Sequence, residues 1–148
     1  MVETEGARIL LVEDDEVLQD VMSRNLRARA HDVEIAGDVQ HALAFLRSQR
    51  FDLVVLDINL PDQTGWDVLR TAKVEGSLRP LEQEGQQGKF PVVVLSAVRV
   101  SPHRLAEFHP LAYLPKPFPI DALLRLAAEA AARRQGGAVQ YNEEELNA

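Results

Sequence analysis

Residues 51–56 (FDLVVL), followed at once by Asp57, carry the strongest strand signal in the chain and limit most severely what it can fold into. A short, nearly continuous apolar run suits a strand buried on both faces, which in turn needs helices above and below it. Residues 7–12 (ARILLV) and 91–95 (PVVVL) repeat the pattern. Residues 31–36 instead alternate Val33 and Ile35 with Asp32 and Glu34, as an edge strand does, and residues 111–114 form a weaker strand. Helical stripes separate these runs. In residues 16–30, Val17, Val21 and Leu26 fall near one face, with Arg24, Arg27 and Arg29 largely on another. Asp38 is placed to cap a helix whose stripe is Ala42, Phe45 and Leu46. Further helices are expected over residues 66–73, 102–108 and 121–134, the last with Pro119 near its first turn. Strands and helices in alternation predict βαβ units: an α/β fold with a doubly wound, five-stranded parallel sheet.

Bulk properties exclude several classes. The 148 residues suit one domain, and 46% hydrophobic with 26% charged residues is ordinary for a globular chain. No apolar run approaches the ~20 residues that span a bilayer, so no membrane association is expected. The N-terminus, MVETEGARIL, carries acids where a secretory signal carries Lys or Arg, and the expected location is cytoplasmic. There is no Cys, which removes disulfides and thiolate metal sites. A net charge of −7 argues against direct nucleic-acid binding. Residues 74–89 are polar and read as a long surface loop, with one helical turn expected near Leu81. Residues 1–6 read as an extension, residues 7–134 as the folded domain, and residues 135–148 as a flexible tail whose Glu143–Glu145 run is a solvated end. His31, His41, His103 and His109 share no ligand-like spacing and are expected at the surface; Trp66 is expected to pack in the core.

In open parallel sheets, functional side chains gather beyond the carboxyl ends of the strands. Here that rule brings together Glu13, Asp14 and Asp15 after the first strand, Asp57 after the third, Ser96 after the fourth and Lys116 after the fifth. Each alone is weak. A lone Asp at a strand end is usually a turn former, the 13–15 run alone would serve as a helix cap, and a lone Ser or Lys says little. Their joint placement is the signal. Two carboxylates about 5 Å apart repel by roughly 3 kcal/mol at an effective dielectric near 20, so counter-charge is required. Lys116 supplies one positive charge, and a hard divalent cation with oxygen ligands, Mg²⁺ by ligand type, supplies the rest.

RILLVEDDE, LVVLDINLPDQTGWDVL, PVVVLSA and YLPKPF, in this order, resemble the receiver domain of two-component response regulators over residues 8–134. The resemblance implies the flavodoxin-like (βα)5 receiver fold with strand order 2-1-3-4-5. It implies that Asp57 accepts a phosphoryl group from a histidine kinase or phosphotransfer protein. Asp14 would bind Mg²⁺ directly, Glu13 through water, and the Asn59 carbonyl would be a further ligand alongside Asp57. Ser96 and Lys116 would contact the phosphoryl group, Tyr113 would be the switch aromatic, and the Lys116–Pro117 bond would be cis. The face of helix four, strand five and helix five would signal to a downstream protein or a fused output domain, or form a homodimer. Only self-phosphorylation and self-dephosphorylation chemistry is expected, with Asn59 orienting a water; the chain is not read as an enzyme.

The chain also departs from that pattern. The stretch from Asp57 to Ser96 is long, the excess falling in residues 74–89, and the stretch from Ser96 to Lys116 is slightly short, with Pro102 and Pro110 confining helix four. Two other functions compete. An unphosphorylated pseudo-receiver interaction module is disfavoured by the complete set of Glu13, Asp14, Asp57 and Lys116. A Mg²⁺-dependent phosphatase with an aspartyl nucleophile would need an acid where Asn59 stands. No DNA-binding domain follows helix five, so the chain acts through protein contact or belongs to a longer protein, with Gly136-Gly137 suited to a linker.

Overall fold

A computed structural model describes residues 6–134. The elements run β1 (Arg8–Val12), α1 (Glu16–Ala28), β2 (Asp32–Ala36), α2 (Val39–Ser48), β3 (Leu53–Asp57), α3 (Gly65–Glu75), β4 (Phe90–Ser96), α4 (Pro102–Phe108), β5 (Pro110–Pro115) and α5 (Ile120–Arg134). All neighbouring strands pair in parallel, in the order β2-β1-β3-β4-β5. The expected α/β architecture and strand order are therefore present, with β2 at an edge. The expected tail, residues 135–148, and most of the N-terminal extension lie outside the described residues.

The apolar runs bury both faces because successive side chains point to opposite sides. Ile9, Leu11, Leu53, Val55, Val93 and Leu95 pack toward α1 and α5. Leu10, Val12, Val54, Leu56, Val92 and Val94 pack toward α2, α3 and α4. Burial of each such side chain stabilises the fold by about 1.5–3 kcal/mol, and the continuous pattern leaves no solvated face.

The helix α1 differs from expectation in which face it buries. Met22 and Leu26 are enclosed, whereas Val17 is 71% exposed and Val21 43% exposed. Two rows with four-residue spacing compete here. The row Leu18, Met22, Leu26 is longer and carries larger side chains than Val17, Val21, so it takes the core. Asp15 caps this helix, its carboxylate accepting the Val17 and Leu18 N–H groups. Asp38 caps α2 as expected, through the His41 N–H.

The expected loop over 74–89 is shorter, residues 76–89, because Val74 and Glu75 continue α3, and no helical turn forms at Leu81. The loop is closed instead by Leu81 N–H to the Lys89 carbonyl (2.7 Å) and Gly88 N–H to the Leu81 carbonyl (3.1 Å), and Leu78 is buried. Gly76, in the left-handed region at φ 77°, ends α3. The helix α4 has the expected bounds. Its one buried residue, Phe108, stacks on the core residue Trp66 at 5.1 Å between ring centroids.

His31 is a second correction. His41, His103 and His109 are exposed, but His31 is only 7% exposed. Its Nδ1 accepts the Ala7 N–H at 2.9 Å, which ties the turn after α1 to the start of β1. An unprotonated Nδ1 is required, and burial, helped by the Arg29 charge, lowers the His31 pKa from 6.5. The unfolded chain then binds this proton more readily than the folded one. The contribution of His31 is present above its unfolded pKa and lost as pH falls toward the folded value. Urea unfolding at pH 7.5 and pH 5.5 tests this: His31→Gln, which keeps an acceptor that cannot be protonated, is expected to lose less stability on acidification than the wild type.

Candidate functional site

The carboxyl ends of β1, β3, β4 and β5 deliver Glu13, Asp57, Ser96 and Lys116 to one edge of the sheet. Glu13 follows β1 and is 1% exposed; its N–H bonds the Ala36 carbonyl at 3.0 Å, continuing the ladder to β2. Asp57 ends β3 and is 3% exposed. Lys116 Nζ donates to Glu13 Oε1 and to Asp57 Oδ2, both at 3.0 Å. The other Asp57 oxygen, Oδ1, accepts the Asn59 N–H at 3.0 Å. Asp14 lies at the exposed rim, and one carboxylate oxygen from each of Glu13, Asp14 and Asp57 falls within 4.8 Å of the others. The Lys116–Pro117 bond is cis, and the Lys116 N–H bonds the Ser96 carbonyl at 2.9 Å, so Lys116 and Ser96 stand side by side.

Three acids face one cation. Burial, with Asp57 beside it and against the pull of Lys116, raises the Glu13 pKa from 4.5 to about 7. Burial alone would lower the Lys116 pKa, but its bonds to Glu13 and Asp57 outweigh that and raise it. The ammonium thus stays charged, while a buried Glu13 resists full ionisation. The donor set is oxygen only, with no nitrogen or sulfur ligand, and it is short of positive charge. Those two properties fit a hard divalent cation such as Mg²⁺.

Ser96 is fully buried. Its Oγ donates to the Val98 carbonyl at 2.7 Å and accepts the Val98 N–H at 3.1 Å. Tyr113, half-buried at the edge strand, donates its hydroxyl to the same Val98 carbonyl at 3.3 Å. Glu13, Asp14, Asp57, Asn59, Ser96 and Lys116 therefore gather at this edge, with Tyr113 linked through Val98. Asp15 does not join them: its carboxylate is engaged as the α1 cap.

Several supporting residues carried no site signal of their own. Gly65 was legible only as turn chemistry. A Cβ on it would sit 2.5 Å from the Asp57 carbonyl oxygen and 3.0 Å from Ile58 Cα, so only glycine lets α3 start against the end of β3. Asp62 caps α2 from a distant loop, accepting the Val39 and Gln40 N–H groups, and those bonds lower its pKa. Gln19 holds the Glu13 carbonyl with its side-chain amide.

The Glu13 shift sets a sign. A carboxyl whose folded pKa lies above its unfolded value gives stability that is fully present below 4.5 and lost as pH rises through about 7. With chelator present, Glu13→Gln is expected to retain stability between pH 5 and pH 8 better than the wild type does in urea titrations. Adding MgCl₂ is expected to stabilise the wild type more at pH 8 than at pH 5.

The family model for the response regulator receiver domain matches residues 9–128. Among curated proteins, the chain is 34% identical over 119 residues to the response regulator MprA of Mycolicibacterium vanbaalenii, covering 79% of this chain and 47% of that protein. It is 35% identical over 130 residues to the probable transcriptional regulatory protein TcrX of Mycobacterium tuberculosis, covering 86% and 50%. The chain thus spans about half the length of these relatives. Among solved structures, it is similar to the receiver domain of the sensor histidine kinase PA1611 from Pseudomonas aeruginosa, with a magnesium ion coordinated in the active-site cleft. That match has 28% identity and a TM-score of 0.67, and covers 86% of this chain and 98% of the other. The non-phosphorylated HemR receiver domain from Leptospira biflexa matches at 31% identity and a TM-score of 0.67, covering 84% and 94%.

Proposed function

The chain belongs to the response regulator receiver family, and on that premise we propose that it is a phosphorylation-controlled switch in which Asp57 is the phosphoacceptor. The observation that carries this reading is the Asp57 carboxylate itself. It is buried at the end of β3, held through one oxygen by a backbone N–H and through the other by Lys116, with two further acids beside it.

In the proposed reaction an Asp57 oxygen attacks the phosphorus of a phosphohistidine on a kinase or phosphotransfer protein. The O–P bond of an acyl phosphate forms as the N–P bond breaks, and the electron pair returns to the imidazole. Lys116 exchanges its Asp57 carboxylate partner for a phosphoryl oxygen, with Glu13 still beside it. Ser96 exchanges the Val98 carbonyl for another phosphoryl oxygen, since both the hydroxyl and the acceptor lie at the same edge. Glu13, Asp14, Asp57 and the Asn59 carbonyl would hold Mg²⁺, which neutralises charge on the transferred group when bound.

The switch follows from the shared carbonyl. Val98 accepts from both Ser96 and Tyr113, so withdrawal of Ser96 frees the 97–100 loop and leaves space into which the Tyr113 ring can turn. The displaced loop leads directly into α4, and the face of α4, β5 and α5 carries the signal to a downstream protein, a fused output domain or a second copy. No helix among the described residues is long and apolar enough to cross a membrane. A cytoplasmic setting suits a phosphohistidine partner. The chemistry proposed is limited to the chain's own phosphorylation and dephosphorylation.

Incubation with Mg²⁺ and acetyl phosphate, with the adduct located by mass, tests the proposal. One phosphoryl group on Asp57 is expected, absent in Asp57→Asn. Lys116→Ala, which removes a charge-assisted contact, is expected to slow its formation about tenfold or more. Ser96→Ala is expected to keep the adduct while losing the amide shifts of residues 97–108. No adduct from donor or cognate kinase would leave an unphosphorylated interaction module, and rapid turnover of unrelated phosphomonoesters would make the protein an enzyme.

A further inference from the structure

The opposite end of the sheet holds a cavity of about 880 Å³, within the size range of small-molecule sites. It lies between the α2–β3 turn, the 76–89 loop and the end of α5. Its wall includes Phe51 and Asp52, which precede β3, whereas Asp57 ends that strand. At about 3.3 Å per residue the two places are roughly 17 Å apart. The cavity is therefore separate from the phosphoacceptor edge.

Its composition runs against that of the chain. A chain of net charge −7 presents here five arginines, at 47, 50, 79, 133 and 134, and two acids, Asp52 and Glu75. The acids are already engaged. Glu75 receives both Nε and Nη2 of Arg47, at 2.9 and 2.8 Å. Asp52 accepts the Arg8 N–H at 2.7 Å and lies 3.7 Å from Arg134. Arg50, Arg79 and Arg133 form no ion pair among the described residues. Arg133 is the most telling. Its Nη2 is enclosed with no hydrogen-bond partner among the described residues. Burial, only partly offset by Glu129 and Asp52, lowers its pKa, so this guanidinium carries charge in partly dehydrated surroundings. The rest of the wall is mixed: apolar Leu46, Phe51, Leu78 and Leu81 lie beside polar Gln49 and Gln83.

We propose that this cavity binds a small organic anion, with an oxyanion group set against Arg133 and Arg79 and an apolar or aromatic body against Phe51, Leu78 and Leu81. Guanidinium groups suit either a phosphate ester or a carboxylate, because both offer two oxygens in one plane to a planar fork of donors. Much of one wall is the 76–89 loop, so the site is built from the segment by which this chain departs from the receiver pattern.

Amide-resolved NMR titration of the full 148-residue chain, without divalent cation, tests the proposal with phenyl phosphate, benzoate and the neutral benzyl alcohol. Saturable shifts at residues 47–52, 76–83 and 130–134 are expected with one or both anions, and weak or no binding of benzyl alcohol. Response to phenyl phosphate alone assigns a phosphate ester, and response to benzoate alone a carboxylate. Arg133→Gln and, as an exposed-site variant that leaves the core untouched, Arg79→Glu are each expected to weaken anion binding about tenfold or more, as loss of a charge-assisted contact does. Asp57→Asn is expected to leave it unchanged. No saturable shift with either anion up to about 10 mM, shifts centred elsewhere, equal binding of benzyl alcohol, or affinity unaltered by both arginine variants would overturn it.

Discussion

Glu13, Asp14 and Asp57 crowd their carboxylates into a few ångströms at the end of a sheet whose interior is apolar, and the ammonium of Lys116 holds that arrangement together. Unit charges 4.8 Å apart cost about 3 kcal/mol per pair at an effective dielectric near 20. Lys116 offsets part of that by sitting 3.0 Å from both Glu13 and Asp57. Its two bonds join the ends of β1, β3 and β5, although β5 pairs with neither β1 nor β3. The balance is still negative, and the buried Glu13 responds by holding its proton up to about pH 7. A site in that condition takes up positive charge readily and changes its contacts when negative charge arrives. Both properties follow from one shared cation among too many acids.

The fold sustains this arrangement through backbone packing more than through further charge. Gly65 lets the turn after β3 double back onto Asp57 and Ile58, which fixes the Asp57 carboxylate and presents Asn59 at the rim. Asp62, in the same turn, caps α2, so the loop after Asp57 is also clamped to a helix on one face of the sheet. Glu13 is positioned by the β1–β2 ladder and by Gln19 of α1 on the other face. The acids thus sit on rigid elements from both layers.

The sheet and the site were legible because both depend on local pattern. The runs at residues 7–12, 51–56 and 91–95 cannot be solvated, and the polar residue that ends each run must fall at the same edge of a parallel sheet. What escaped the sequence depends on competition or on distance. Val17 and Val21 looked as buriable as Met22, and only the longer row Leu18, Met22, Leu26 decided which face turned inward. His31 looked like a loop residue because its partner, the Ala7 N–H, is supplied by a strand far away in sequence. The role of Val98 is carried by a backbone carbonyl, which no side chain announces. The cavity at the far end was hidden for a similar reason: its arginines come from three separate segments, and the polar 76–89 loop gave no sign that Leu78 would enter the core.

Under the proposed function, the helix α4 is where a charge change at Asp57 would be read at a distance. With only 7 residues and Phe108 alone buried, it is too short to be stable by itself. Its C-terminal end is anchored on α3, where Phe108 stacks on Trp66 and lies 5.4 Å from Arg70 and 5.7 Å from Lys73, while Arg70 also reaches Glu107 at 3.8 Å. Its N-terminal end is held more lightly: Ser101 and Pro102 are exposed and joined to the 97–100 loop, Arg104 lies 5.8 Å from the Trp66 ring, and Val100 packs against the core. That loop is held by the two hydroxyls on the Val98 carbonyl. The helix is thus pinned at one end to the rigid α3 and tied at the other to the hydrogen bonds that a phosphoryl group on Asp57 would contest. In the proposed switch, movement of the loop would tilt α4 against α3, and the aromatic and cationic contacts around Phe108 and Trp66 set where it turns.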